Sequence, residues 1–391
     1  MNYASQRDFV RELAQEVRAV AGSPVNTARR KRWTDVNALR KPDRAPVFCN
    51  PGDLWAELLP DDLLHCGDPH FREIETYLRR KLFKNAIGDD EITHPYYPVH
   101  AVFDVDPPNV YGVSRKPNGL AALNGKSDYD RLIIPTYTYN KQATDAAVDF
   151  AGEQIGDILP PRICNTPYEY ATLTNAAATL RGFTQFLLDT YDNPRLLHRL
   201  MAHMRDAALS SMDQKLAAGN LTPIDGEMYI SDELNPAPGE PATYKNCIGA
   251  GNAQELDLVS PAIWEEFLLV YQRPIFERFG LAAYGCCESL DTKIDGVLSI
   301  PNLRIVVCSA WSNLDRIIDK TGINYAIMWR QKATDVCFAA DTAWIKNHLE
   351  DGCQRLQGGF YQIVLRELQT LDGHNDRLHV WAELAKEAAA K

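Results

Sequence analysis

Apolar positions in the opening segment recur at three- and four-residue spacing. Phe9, Leu13, Val17 and Val20 share one helical face until Pro24 interrupts the pattern, so the first forty residues predict helix. Residues 45–49, Ala-Pro-Val-Phe-Cys, predict a first buried strand. A helix is predicted over residues 69–84, with Phe71, Ile74, Tyr77, Leu78 and Leu82 on one face. The run 96–103 is strand-like and carries His100. A loop-rich stretch with Pro107-Pro108 and Asn118-Gly119 follows it.

From about Ala143 the alternation becomes regular. A helix over 145–154 leads to a strand over 158–164, and two long helices are expected over 175–189 and 194–218, the second entered through Asn193-Pro194. Strands are predicted over 222–230, 281–285, 303–308, 325–329 and 360–365, separated by helices over 261–279, 313–321, 342–354 and 375–389. Strands spaced by helices of this length imply a parallel sheet, and about eight of them favour closure. The expected fold is therefore an α/β (βα)8 TIM barrel over residues 45–391 with an N-terminal helical extension over residues 1–44.

Composition narrows the class of protein. The 391 residues carry a net charge of -11, which argues against a nucleic-acid surface, since phosphate contacts need clustered Lys and Arg. The basic run Arg29-Arg30-Lys31-Arg32 suits a solvated helix end. No apolar run approaches membrane-spanning length and the N-terminus lacks a signal peptide's apolar core, so the expectation is a cytoplasmic protein. Nine cysteines without framework spacing are expected to be mostly free thiols. The dinucleotide glycine fingerprint, the Walker loop, the Gly-x-Ser-x-Gly elbow and His-Glu-x-x-His are all absent. Gly249-Ala-Gly-Asn252 reads as a turn and helix cap.

The candidate chemistry lies in Gly280-Leu-Ala-Ala-Tyr-Gly-Cys-Cys-Glu288, where two thiols and a carboxylate follow a short apolar strand. Such a group at the carboxyl end of a barrel strand has the composition of a zinc or thiol site, although free cysteines also serve as small buried hydrophobes. Alternation along a strand places Cys286 and Cys287 on opposite sides. Other polar candidates are His100 at a strand end, Asp225 and Glu227 on the 222–230 run, Gln254 and Glu255 before a helix, and Trp311 just past Cys308. Each has a bland alternative as a core residue, a cap or packing.

The segments Val259-Ser-Pro-Ala-Ile-Trp-Glu-Glu-Phe267, Pro274-Ile-Phe-Glu-Arg-Phe-Gly280, Tyr284-Gly-Cys-Cys-Glu288, Ile300-Pro-Asn-Leu-Arg304 and Cys308-Ser-Ala-Trp311 resemble the uroporphyrinogen decarboxylase superfamily. Arg30-Lys-Arg-Trp-Thr-Asp-Val-Asn37 and Ile74-Glu-Thr-Tyr-Leu-Arg-Arg80 are similar to an uncharacterised subgroup of it. The arginines with which the decarboxylases hold polycarboxylates are missing after the first strand, in Cys49-Asn-Pro-Gly-Asp-Leu-Trp55. The resemblance therefore points to the corrinoid-dependent methyltransferase branch, whose His-x-Cys and late Cys hold zinc. Cys286 falls on that Cys and Tyr284 on the His. The last strand reads Gly358-Gly-Phe-Tyr-Gln362, with Gly359 and Gln362 where the subgroup carries Cys and Glu, so Cys308 or Cys353 would have to complete a shell.

The resemblance implies a methyltransferase that moves a methyl group between a small molecule and a corrinoid (cobalamin) carried by a partner protein. Zinc is expected on Cys286, Cys287 and Glu288. Glu288, Glu255 and His100 are expected in catalysis, with Glu227, Gln254 and Trp311 against the substrate. A homodimer is compatible with this reading, and neither nucleic acid nor membrane is expected as a partner. The alternatives are a metal-free barrel acting as a ligand-binding or complex subunit, and a lyase on a small carboxylated substrate with Arg162 and Arg330 as its strand-end cations.

Overall fold

Short apolar runs pair in parallel to build the centre of the molecule, described here from a computed structural model over residues 2–108, 121–166 and 170–391. The predicted Asn118-Gly119 turn lies outside the described residues. The strands are β1 (Val47–Cys49), β2 (Tyr97–His100), β3 (Phe103–Asp106), β4 (Thr136–Tyr139), β5 (Pro161–Cys164), β6 (Ile248–Gly251), β7 (Leu281–Tyr284), β8 (Leu303–Cys308), β9 (Ala326–Gln331) and β10 (Phe360–Leu365). Six form one all-parallel sheet in the order β1-β10-β9-β8-β7-β6, β2 pairs with β5 in parallel, and β3 and β4 form a separate antiparallel pair. The architecture is barrel-like, but no ladder among the described residues joins β1 to β2 or β5 to β6.

The open edge of β1 has its own partners. Val47 N donates to Asp90 Oδ2 and Cys49 N to Asp89 Oδ2, both at 2.8 Å, while Val47 O accepts from Asp90 N at 2.8 Å. Carboxylates thus take up donors that a neighbouring strand would otherwise occupy. Arg44 and Arg32 hold Asp90 in turn, and the buried Lys84 ammonium contacts Asp89 and the Cys49 carbonyl.

Two apolar layers follow from strand alternation. Ala282, Tyr284, Val306, Ile327 and Ile363 face the helices, whereas Phe48, Ala250, Ala283, Val307, Met328 and Val364 face inward with Trp33 and Val36. Those last two residues come from the helix Pro24–Asn37, which packs on β10 at the amino end of the strands. Asn37 Nδ2 donates to the carbonyls of Met228 and Ile230 at 3.1 and 2.7 Å, and its Oδ1 accepts from Gln362 Nε2 at 2.6 Å. The N-terminal helices are bonded into the barrel region at this point. The helix Tyr3–Ala21 packs on the helices Pro69–Ile87 and Lys141–Ile155 over a separate apolar cluster.

Four predicted elements differ from those observed, the first being the run 96–103, which divides between β2 and β3 in two different sheets. Residues 222–230 form no strand, because Pro223 and Gly226 break pairing and the run is drawn to Asn37 and Gln362 by its carbonyls. The 249–252 turn is instead β6 with Asn252 after it, a strand whose glycines leave room for the Phe279 and Phe276 rings. The helix predicted over 175–189 is two, Thr174–Arg181 and Phe183–Leu188, because Gly182 adopts φ 83° between them.

Replacing Asn37 by Ala orphans the Ile230 carbonyl and leaves the Met228 carbonyl and the Gln362 amide with only each other. An orphaned buried group costs about 1–3 kcal/mol, so the variant is expected to lose about 1–3 kcal/mol in urea unfolding. A loss below about 0.5 kcal/mol would show that this contact does not hold the helix to the sheet.

Candidate functional site

Strand β7 ends at Tyr284, and Gly285 then turns at φ 113°, where a Cβ would run into Val307. This turn abolishes the strand alternation that would have separated the next two side chains. Cys286 and Cys287 consequently lie on one side, with their sulfurs 3.7 Å apart. The expected opposition of the pair is corrected by this one backbone angle.

The carboxylate that completes the group comes from the far end of the sheet. Glu367, two residues beyond β10, places Oε1 3.7 Å from Cys287 Sγ. The ligand atoms of Cys286, Cys287 and Glu367 all lie within 4.8 Å of one another. Arg330, on β9 between those two strand ends, directs Nη1 to Cys286 Sγ and to Glu367 Oε1, both at 3.2 Å. Its side chain is 3% exposed, and its Nε has no partner among the described residues.

Glu288 has a different environment from the one its place beside the cysteines suggests. Its carboxylate accepts from Ala253 N at 2.7 Å and from Cys286 N at 3.0 Å, bracing the β7 turn against the loop after β6, and it is not part of the thiol–carboxylate group. Burial raises its pKa to about 7 against the pull of those backbone donors. Tyr284 points into the helix layer, where its hydroxyl meets Trp264 Nε1 and Gln272. Cys308 and Cys353 are buried elsewhere and do not join the group.

The thiols share one proton. The hydrogen bond from Cys287 comes first in lowering the Cys286 pKa to about 5; burial opposes the shift and Arg330 adds to it. The same contact raises Cys287. The pair therefore presents one thiolate at neutral pH, paired to a buried guanidinium.

Beside this group is a cavity of about 370 Å³ at the carboxyl ends of β1, β2, β5 and β10. His100 and Glu227 line it, as do Asp225, His94 and Arg366. Glu227 accepts from Ile92 N at 3.0 Å, and burial, followed by the neighbouring Glu91, raises its pKa to about 6. Glu255 accepts from Thr174 Oγ1 and Asn175 Nδ2 at 2.7 and 3.1 Å, Gln254 is exposed in a short 3-10 turn, and Trp311 is 60% exposed. None of these three lines the cavity.

Gly359 and Gln362 stand at the amino half of β10, away from the site. The carboxylate beside the thiols stands at the opposite end of this strand, at Glu367, and is not among the residues expected from sequence. The available signal was Arg366-Glu367 directly after the apolar run that ends at Leu365.

No family model matches the chain. No curated protein matches it either. Among solved structures, it is similar to a methyltransferase from Methanosarcina mazei at TM-score 0.52 and 10% identity, over 92% of this chain and 98% of that one. At that identity the likeness is one of fold. No helix among the described residues is long and apolar enough to cross a membrane.

In chelator-treated protein, Cys286 is expected to be the cysteine that iodoacetamide labels first. Its rate should change little between about pH 6.5 and 8, since both lie above its lowered pKa, whereas an ordinary thiol gains about 25-fold. Arg330→Met should raise the Cys286 pKa and so move the rise of its labelling rate to higher pH, by about one pH unit for each 1.4 kcal/mol of lost thiolate stabilisation. Peptide mass mapping reads both effects, and uniform labelling of Cys286 and Cys287 would refute the shared-proton arrangement.

Proposed function

We propose that the chain is a methyltransferase whose thiol–carboxylate group holds a divalent metal, with zinc as the ion, and that it exchanges a methyl group between a small molecule and a cobalamin carried by a partner protein. The observation that carries this reading is the Cys286–Cys287–Glu367 group at the carboxyl ends of β7 and β10. Support comes from the resemblance of the Tyr284-Gly-Cys-Cys-Glu288 segment and from a fold shared with a protein described as a methyltransferase. In this reading the six-stranded sheet and the β2–β5 pair together correspond to a (βα)8 barrel, with the site at its functional face.

The donor set fits the ion. Tetrahedral zinc with Zn–S bonds of about 2.3 Å separates two sulfurs by about 3.7 Å, and the sulfurs here are 3.7 Å apart, with the carboxylate oxygen 3.7 Å from one of them. Three protein ligands leave a fourth position open for a reacting group. When bound, such an ion acts as a Lewis acid that makes a thiol or oxygen nucleophile available at neutral pH.

The protein's own residues have separate tasks. Arg330 keeps Cys286 ionised and fixes Glu367, while Glu288 holds the Cys286 backbone through its amide. Glu227 and His100, on the cavity wall, are placed to bind or exchange a proton with a small-molecule substrate. A second reading, a metal-free ligand-binding subunit, is favoured by Arg330 alone, because the guanidinium already compensates both anions.

Elemental analysis of protein made with zinc and purified without chelator separates the two. About one equivalent is expected in the parent, with large losses in Cys286→Ser, Cys287→Ser and Glu367→Gln and retention in Trp311→Ala. Less than about a tenth of an equivalent in the parent would leave the binding-subunit reading in possession, because protein zinc sites of this kind survive purification. With zinc present, free methylcobalamin and mercaptoethanol should give the methyl thioether by mass spectrometry, and no product above the Cys286→Ser background would count against methyl transfer.

A further inference from the structure

The 370 Å³ cavity contains a cation that the thiol–carboxylate group does not use fully. Arg366 follows β10 directly and lines the cavity wall. Its one described ion pair is long, Nε to Glu367 Oε1 at 3.7 Å, and Glu367 is engaged more closely by Arg330 at 3.2 Å. The Arg366 side chain is 22% exposed, and among the described residues it makes no side-chain hydrogen bond. A planar fork of donors is thus left facing a partly enclosed space.

The remaining charges around the cavity are already satisfied. Asp225 accepts from Arg30 and from Tyr96 Oη, with Arg162 at 3.5 Å and His94 at 3.6 Å. Arg162 is spent on Asp225 and on the face of Tyr96, 4.8 Å from the ring centre. Lys81 is bonded to Glu91 at 2.6 Å. Glu227 bonds the Ile92 amide, and the charge of Lys81 offsets part of its own. Between these groups the wall is apolar, formed by Pro98, Pro223, Ile224 and Met228. Pockets of this size, with an apolar body and few directed polar groups, bind small molecules whose polar end meets the directed group.

We infer that this cavity is a binding site for an apolar-bodied carboxylate of about ring size, its carboxylate taken by the Arg366 fork and its body by the Pro98, Pro223 and Met228 wall. The site needs no metal and no methyl transfer, so it stands or falls apart from the proposed function. It lies beside the thiols, because the charge of Arg366 also acts on Cys286.

Calorimetric titration of the full-length, metal-stripped protein with benzoate, benzamide, benzylamine and acetate tests the inference. Benzoate should bind at least about tenfold more tightly than benzamide, as expected when one charge-assisted fork contact is made, and more tightly than acetate, which lacks the ring. Arg366→Met should erase the preference for benzoate over benzamide, and Arg366→Lys should keep part of it, with both variants melting like the parent. Cys286→Ser should retain the preference, which separates this site from the metal reading. Equal or tighter binding of benzamide or benzylamine, absence of benzoate binding to the folded parent, or an unchanged preference in Arg366→Met would each overturn the inference.

Discussion

The buried Arg330 guanidinium is the contact on which the site depends. It reaches the thiolate after β7 and the carboxylate after β10 from the strand β9, joining groups 81 residues apart in the chain, from Cys286 to Glu367. An ion buried this deeply is costly unless paired, and removing one partner of such a set typically costs about 3–5 kcal/mol. The pairing therefore ties protonation to geometry: Cys286 is held ionised first by the Cys287 hydrogen bond and then by Arg330, and Arg330 is tolerated because two anions meet it. A divalent ion among the same donors would make the arginine a neighbour rather than the sole counter-charge.

The backbone supports this arrangement with two different devices. At β7, the left-handed Gly285 brings adjacent cysteines onto one side, and the Glu288 carboxylate fixes the resulting turn by accepting two amides. At β1, Asp89 and Asp90 satisfy the free edge and are themselves neutralised by Lys84, Arg32 and Arg44. In both places a carboxylate takes up backbone amides that no strand neighbour occupies. The gap beside β1 continues into the residues that border the cavity, including Lys81, His94 and Tyr96. Open edge and open cavity are parts of the same departure from a fully laddered sheet.

The cavity and the thiol group are chemically distinct but adjoining. One is mostly apolar with a single under-used fork, and the other is a compact set of anions around a buried cation. Arg366 and Glu367, consecutive residues, serve the two spaces in turn, and the backbone turns at Glu367 with φ 61°. A ligand held by Arg366 would thus lie within the electrostatic reach of Cys286, which gives the two spaces a common purpose in any chemistry at the sulfur.

Sequence alone determined the parts that depend on local periodicity. The apolar runs at 45–49, 281–285, 303–308 and 360–365 predicted strands that are observed over 47–49, 281–284, 303–308 and 360–365, and Cys286-Cys287 stood out as a candidate thiol site. It also determined a chain of alternating strands and helices. It did not determine that residues 222–230 would remain unpaired, since their carbonyls are claimed by Asn37 and Gln362, residues 134 to 193 positions away by chain. Nor did it determine which acid accompanies the thiols. Glu288 adjoins them in the chain but turns to backbone amides, whereas Glu367 is 80 residues away and is delivered by the parallel order of β7, β8, β9 and β10. Proximity along a chain fixes which groups are available; only strand order and the positive φ angles of Gly285 and Glu367 decided which of them meet.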